Sequence, residues 1–299
     1  MGYRGFSGIT DRSDFVAIFS NQATLTYSGN STNSNIAYGE ILDVLTATKT
    51  AIEGTYEPGE RVTYVVTLRN TGSAALTGLT LTDDLGGYEF NGTTAYPLTY
   101  ETGSAALFVN GAPQPAPAVT AGPPMTVTGI SIPAGGDTVL VYQARSNVFA
   151  NPAVGGIITN TVSVTGDGLS TPVTATETVT STAAPALTIS KSISPSQVVD
   201  NDRVTYTFVI QNYGNEAVVA TDNASISDTF DPILSALAVT FEGTAWTEGI
   251  QYNYNEVTGL FTTVPGQILV PAATYTQDPV TGAYSVIPGT VTLTVTGTI

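Results

Sequence analysis

The chain repeats itself, and the repeat limits what it can fold into more than any other feature. Laying Lys49 on Lys191 brings Arg61-Val62-Thr63-Tyr64 onto Arg203-Val204-Thr205-Tyr206 without a gap, Asn70 onto Asn212 and Gly72 onto Gly214. After a short insertion, Thr82-Asp83-Asp84-Leu85 falls on Ser227-Asp228-Thr229-Phe230, and Ile132-Pro133-Ala134 returns as Ile287-Pro288-Gly289. Two homologous units in tandem are the expected architecture. They meet near Thr180-Ser181-Thr182-Ala183-Ala184-Pro185, a run of small residues closed by a proline.

Within each unit the hydrophobic period is two. Val62, Tyr64, Val66 and Leu68 alternate with polar residues, and Thr290–Thr296 alternates Thr with Val291, Leu293 and Val295. β-Branched and aromatic residues fill these runs, and Gly, Pro, Asn and Asp break them every few residues, which is the pattern of antiparallel β-sandwiches. No segment carries an apolar stripe of helical period, so very little helix is expected.

Composition narrows the chemistry. The chain has 299 residues, no His and no Cys, which removes the usual zinc and copper ligands, the Ser-His and Cys-His nucleophiles and any disulfide framework. A net charge of −16 argues against nucleic acid and anionic membrane as partners. Charged residues are 11% of the chain, well under the usual ~25%, while 42% are hydrophobic, enough for a core. A surface of Thr, Ser, Asn and Gly is the make-up of a secreted or surface-exposed β protein. The first residues contain no apolar leader, and no run approaches the ~20 apolar residues of a membrane-spanning helix, so membrane insertion is not expected.

The series Lys49-Thr50, Arg61-Val62-Thr63-Tyr64, Asn70-Thr71-Gly72, Leu81-Thr82-Asp83-Asp84-Leu85 and Asn160-Thr161-Val162-Ser163-Val164 resembles the prokaryotic cell-surface repeat known as "domain of unknown function eleven". The resemblance covers most of residues 45–299. It implies an all-β chain of tandem immunoglobulin-like sandwiches on a cell or spore surface, and it implies no catalysis.

The two copies differ at their ends. The first continues through Ile158–Gly166 and Pro172–Val179, whereas the second has no counterpart to that hairpin after Thr290–Thr296. Its counterpart stands at the other end of the sequence. Ser20-Asn21-Gln22-Ala23-Thr24-Leu25 matches Thr159-Asn160-Thr161-Val162-Ser163-Val164, and Asn35–Leu42 matches Pro172–Val179. The expected organisation is an N-terminal extension (1–18), a donor β-hairpin (19–45), a first sandwich (46–183) and a second sandwich lacking its last hairpin (184–299). The hairpin could close its own second sandwich, remain unused, or complete the second sandwich of another copy, which makes a head-to-tail fibre. The stretch from Glu40 to Lys49 reaches at most about 28 Å, which favours the last. Asn21, Ala23, Leu25, Ile36 and Tyr38 are then the donated residues, and Val291, Leu293 and Val295 are expected to form the acceptor strand.

The only two lysines, Lys49 and Lys191, occupy the same place in the two repeats. Gram-positive pili join a similar first-strand lysine to a late-strand asparagine through an isopeptide bond assisted by a buried acid. Such chemistry needs a desolvated amine, a carboxamide and a carboxyl buried together. Asn160 with Asp83 would serve Lys49; Asp228 with Asn21 of the donated hairpin would serve Lys191. Asn70 and Asn212 are alternative partners, and ordinary lysine–aspartate ion pairs are the competing account. The oxygen-rich Asp200-Asn201-Asp202 and Asp222-Asn223 match no calcium-loop pattern and read as turns, and Trp246, Tyr252, Tyr254 and Tyr275 read as packing residues.

Together these features indicate a self-assembling structural subunit of an extracellular bacterial filament or surface appendage. It would need no metal, no cofactor and no enzymatic activity, and its partner would be itself. The other reading is a monomeric surface adhesin or carbohydrate-binding protein in which the sandwiches are spacers.

Overall fold

The computed structural model describes residues 17–41 and 43–299, so all but the last two residues of the expected 1–18 extension lie outside the described residues. The regular structure of the described residues is β-strand, apart from a single 3-10 turn at Ala220–Asp222. No helix among these residues is long and apolar enough to cross a membrane.

The first sandwich has two six-stranded sheets. In one, Arg61–Asn70 lies between Leu45–Ala51 and Asp137–Ser146. In the other, Leu76–Asp83 lies between Met125–Ile132 and Ile157–Thr165, and Val173–Ser181 pairs with the outer side of Ile157–Thr165. The alternation read from the sequence is the alternation of burial: Val62, Tyr64, Val66 and Leu68 face the core, as do Ile158, Val162 and Val164 from the facing sheet. Each such side chain is worth about 1.5–3 kcal/mol when fully buried.

The second sandwich repeats this plan in part. Arg203–Asn212 lies between Leu187–Ser194 and Gly289–Thr298. The opposing sheet holds Ser227–Thr229, Leu260–Thr263 and Tyr252–Asn255. Among the described residues nothing stands where Ile157–Thr165 and Val173–Ser181 stand in the first.

This corrects the expected acceptor strand. Val291, Leu293 and Val295 are buried, and their strand is hydrogen-bonded on both sides, to Arg203–Asn212 and to Ser235–Phe241. The strand has no free edge because the next strand of such a sandwich crosses to the opposite sheet instead of pairing with its predecessor. Among the described residues the edge left open is that of Ser227–Thr229, which pairs only with Leu260–Thr263.

Asn70 and Asn212 turn out to be matched turn anchors. The Asn70 amide donates to the carbonyls of Ala74, Ile132 and Pro133, and its Oδ1 accepts from Gly72 N. Asn212 does the same with Glu216 and Pro271, and accepts from Ala186 and Gly214. Both are fully buried and spoken for, so neither is a reaction partner for a lysine. Asn70→Ala leaves several buried backbone groups unmatched and is expected to cost about 1–3 kcal/mol, read as a lower urea midpoint at constant slope.

Residues 17–41 form a hairpin that, among the described residues, pairs only with itself: Ala17–Asn21 with Ala37–Ile41 and Thr24–Tyr27 with Asn30–Asn33. Ser28 and Gly29 both have positive φ (44° and 80°), the requirement of a two-residue primed turn, and this turn fixes the register near the tip. Asn21 stands opposite Ala37, whereas its match Asn160 stands opposite Glu177, which corresponds to Glu40. The register therefore differs from the one the repeat implies. Strands whose apolar side chains are left uncovered, as Phe19, Leu25, Ile36 and Tyr38 are here, have no core to fix their register, so the turn decides it. The Phe19 ring lies over Gly39, where a Cβ would come within 2.2 Å of it.

The hairpin Thr274–Gln277/Tyr284–Ile287 of the second sandwich leans on the first. Tyr284 N donates to Val148 O at 2.7 Å, Gln277 Nε2 donates to the Tyr88 hydroxyl, Asn91 Nδ2 donates to Pro279 O, and Gly282 packs on Phe90.

Candidate assembly site

Lys49 projects from Leu45–Ala51 into the centre of the first sandwich, and its side chain, like that of Asp83, is 0% exposed. Its Nζ lies 2.7 Å from Asp83 Oδ2 and 4.8 Å from the centre of the Tyr64 ring. Asp83, the last residue of its strand, also accepts from Leu85 N through Oδ1 and from the Tyr142 hydroxyl through Oδ2. Asn160, fully buried on Ile157–Thr165, donates to the Tyr142 hydroxyl at 3.4 Å. Its Oδ1 has no hydrogen-bond partner among the described residues. Burial pushes Lys49 below its ordinary pKa, against the pull of Asp83, and pushes the Tyr142 hydroxyl up, so that it remains a neutral donor. An amine driven toward neutrality, a carboxyl and a carboxamide thus share one dry pocket.

The sequence singled out Lys49, Asp83 and Asn160, and the structure brings all three together. It missed Tyr142, which stacks on Tyr64 at 5.5 Å between ring centres. The available signal was its inward position in the alternating run Asp137–Ser146, directly opposite Tyr64.

Lys191 holds the matching position on Leu187–Ser194 and pairs with Asp228, but here the side chains are 39% and 19% exposed. Its Nζ sits 4.5 Å from the Tyr206 ring, 5.3 Å from Phe230 and 5.5 Å from Phe208. Val295, opposite Tyr206, takes the place of Tyr142. No carboxamide contacts this pair among the described residues.

The difference extends along the strand. Leu45 is 4% exposed, whereas its match Leu187 is 43% exposed, with Ile189 at 56% and Ile193 at 41%. In the first sandwich Val173–Ser181 packs over Leu45–Ala51; in the second the same face is bare. Ile189 and Ile193 replace Ala47 and Ala51, so the uncovered face is also the more apolar of the two. The result is a groove with an apolar floor, an open strand edge at Ser227–Thr229 and the Lys191–Asp228 pair in its wall.

The expected donor residues are free. Ala23, Leu25, Ile36 and Tyr38 are exposed, as is Asn21, and the hairpin does not occupy the groove of its own chain. The remaining candidates have local roles: Asp202 and Asp222 accept the backbone N–H groups of Val199 and Val219, Trp246 stacks on Phe241, Tyr252 is core, and the Tyr254 and Tyr275 hydroxyls donate to the carbonyls of Leu234 and Tyr213.

No family model matches the chain, and no curated protein sequence matches it significantly. Among solved structures it is similar to the major pilin subunit BcpA of Bacillus cereus, with 11% identity over 91% of this chain and 73% of that one, TM-score 0.35. It is similar to the collagen adhesin of S. aureus, with 15% identity over 53% of this chain and TM-score 0.31, and spans 55% of that chain. It is also similar to a family 123 glycoside hydrolase from Clostridium perfringens, with 11% identity over 47% of this chain and TM-score 0.30, and spans 27% of that enzyme.

Proposed function

We propose that the chain is a structural subunit of an extracellular filament on a cell or spore surface, assembled head to tail. Residues 17–41 of one copy lie in the groove of the second sandwich of the next. The observation that carries this reading is the contrast between matched positions, Leu45 and Lys49 buried, Leu187 and Lys191 exposed. The segments covering the first pair are those that the N-terminal hairpin repeats. Once docked, the first strand of the hairpin pairs with the open edge of Ser227–Thr229 and sets Ala23 and Leu25 over the core. Its second strand places Ile36 and Tyr38 over Leu187, Ile189 and Ile193 after sliding to the register of the repeat. Backbone pairing supplies affinity and the apolar side chains supply register. The low charge, the Thr-rich strands and the surface-repeat resemblance support the location, and assembly requires neither cofactor nor catalytic turnover.

The first sandwich, in the same reading, is tied across its two sheets by an amide between Lys49 and Asn160. The neutral Nζ attacks Asn160 Cγ, Asp83 carries a proton from the amine to the departing nitrogen, and one ammonia leaves.

Deleting residues 1–42 tests the assembly. The full chain is expected to form filaments visible by negative-stain microscopy, and the truncated chain to elute as a monomer that captures a peptide of residues 17–41. Single particles from both proteins would instead support the adhesin reading.

A further inference from the structure

We propose that the joint between copies is closed covalently, by an amide between Lys191 of one copy and Asn21 of the hairpin donated by the next. The inference rests on hairpin donation and adds a modification site to it.

Three observations converge. Lys191 and Asp228 already meet, in the same strand positions as Lys49 and Asp83. Their surroundings, the rings of Tyr206, Phe208 and Phe230, form an apolar pocket that lacks only a lid and a carboxamide. The donated strand brings both. Phe19, Asn21, Ala23 and Leu25 follow the spacing of Ile158, Asn160, Val162 and Val164, all four of which are buried against the core in the first sandwich. Asn160 reaches the Lys49 pocket from the strand paired to Asp83's own strand, with Asp83 opposite Val162. The same pairing on the open edge sets Ala23 opposite Asp228 and carries Asn21, two residues earlier, over Lys191. Covering the pocket also removes water from Lys191 and Asp228, and desolvation favours the neutral amine and neutral acid over the ion pair.

The step balances within the joint. One proton passes from the Lys191 ammonium to the Asp228 carboxylate. The neutral amine attacks Asn21 Cγ, forming the new C–N bond, while the protonated Asp228 polarises the carboxamide oxygen. The tetrahedral centre collapses as the carboxamide nitrogen, protonated through Asp228, leaves as ammonia. Asp228 is regenerated, and no oxidant, metal or energy source is consumed.

The test uses full-length protein, boiled in SDS with urea and run on a denaturing gel, alongside microscopy of the same sample before denaturation. A ladder of multiples of the chain is expected. Digestion of the ladder should yield one linked peptide pair containing Lys191 and Asn21, lighter than the sum of its parts by one ammonia. Asn21→Ala and Lys191→Arg should each abolish the ladder. Wild-type filaments that dissolve to single chains, with no Lys191–Asn21 peptide pair in their digest, would overturn the covalent step and leave hairpin donation standing. Absence of filaments in the undenatured sample would overturn both. A ladder persisting in Asn21→Ala would overturn the choice of asparagine.

Discussion

Asp83→Ala is expected to destabilise the first sandwich by at least about 3–5 kcal/mol: it removes the acid that amide formation needs and leaves a free Lys49 buried without its partner, the usual effect of stranding one member of a buried pair. Lys49 would keep a fully enclosed Nζ with no counter-charge, and the Tyr142 hydroxyl would lose its acceptor at the same time. The matched change Asp228→Ala should cost the isolated subunit about 1 kcal/mol or less, because that pair is partly hydrated and surface pairs contribute little. Calorimetry of the two variants should therefore show a large loss in one and almost none in the other. The same proteins report on the internal amide. With the joint blocked by Asn21→Ala, the chain should be one ammonia lighter than its sequence, whereas adding Asp83→Ala or Asn160→Ala should restore full mass. Asn160→Ala separates the two effects, since it removes the carboxamide and leaves the Lys49–Asp83 pair in place. An Asn21→Ala chain of full mass would sink the amide and leave an ordinary buried ion pair.

A charge placed in the groove should have opposite consequences in the two sandwiches. Ile189→Asp replaces a side chain that is 56% exposed, so the subunit should keep its stability within about 0.5 kcal/mol, as surface substitutions usually do. Filament growth should nevertheless stop, because docking the hairpin would bury an unpaired carboxylate. Leu45→Asp introduces the same group where the existing residue is 4% exposed, and it should prevent the first sandwich from folding. Circular dichroism and negative-stain microscopy on the pair settle the matter. Ile189→Asp subunits that polymerise normally would refute the groove as the docking surface.

Much of this was legible in the residues. The internal repeat and the period-two runs gave the tandem sandwiches, since an alternating face such as Val62-Tyr64-Val66-Leu68 can be buried only as a strand against a second sheet. The lysine, aspartate and asparagine of the first pocket could be paired because each sits at an inward position of a recognisable run. The acceptor edge could not be read, because sequence order does not say which sheet the next strand joins. Val291–Val295 looked terminal and is central. Asn70 and Asn212 stood as alternative partners for the lysines, yet their repetition reflects a turn that both units must close. Hairpin register also escaped, because the apolar residues Leu25, Ile36 and Tyr38 meet no core within the chain and leave pairing to the Ser28-Gly29 turn.

The hairpin of the second sandwich that leans on the first has a mechanical consequence. With Tyr284, Gln277 and Pro279 bonded to Val148, Tyr88 and Asn91, the two sandwiches are held by more than the covalent connection between them; Val148 and Tyr284 line one cavity with Thr182 and Pro185 of that connection. Bending the chain at its middle would have to break these bonds together, so each molecule behaves as one strut instead of two beads on a thread. In a filament of such struts, flexure concentrates at the junctions from one molecule to the next, and contour stiffness is governed by how deeply each hairpin is seated.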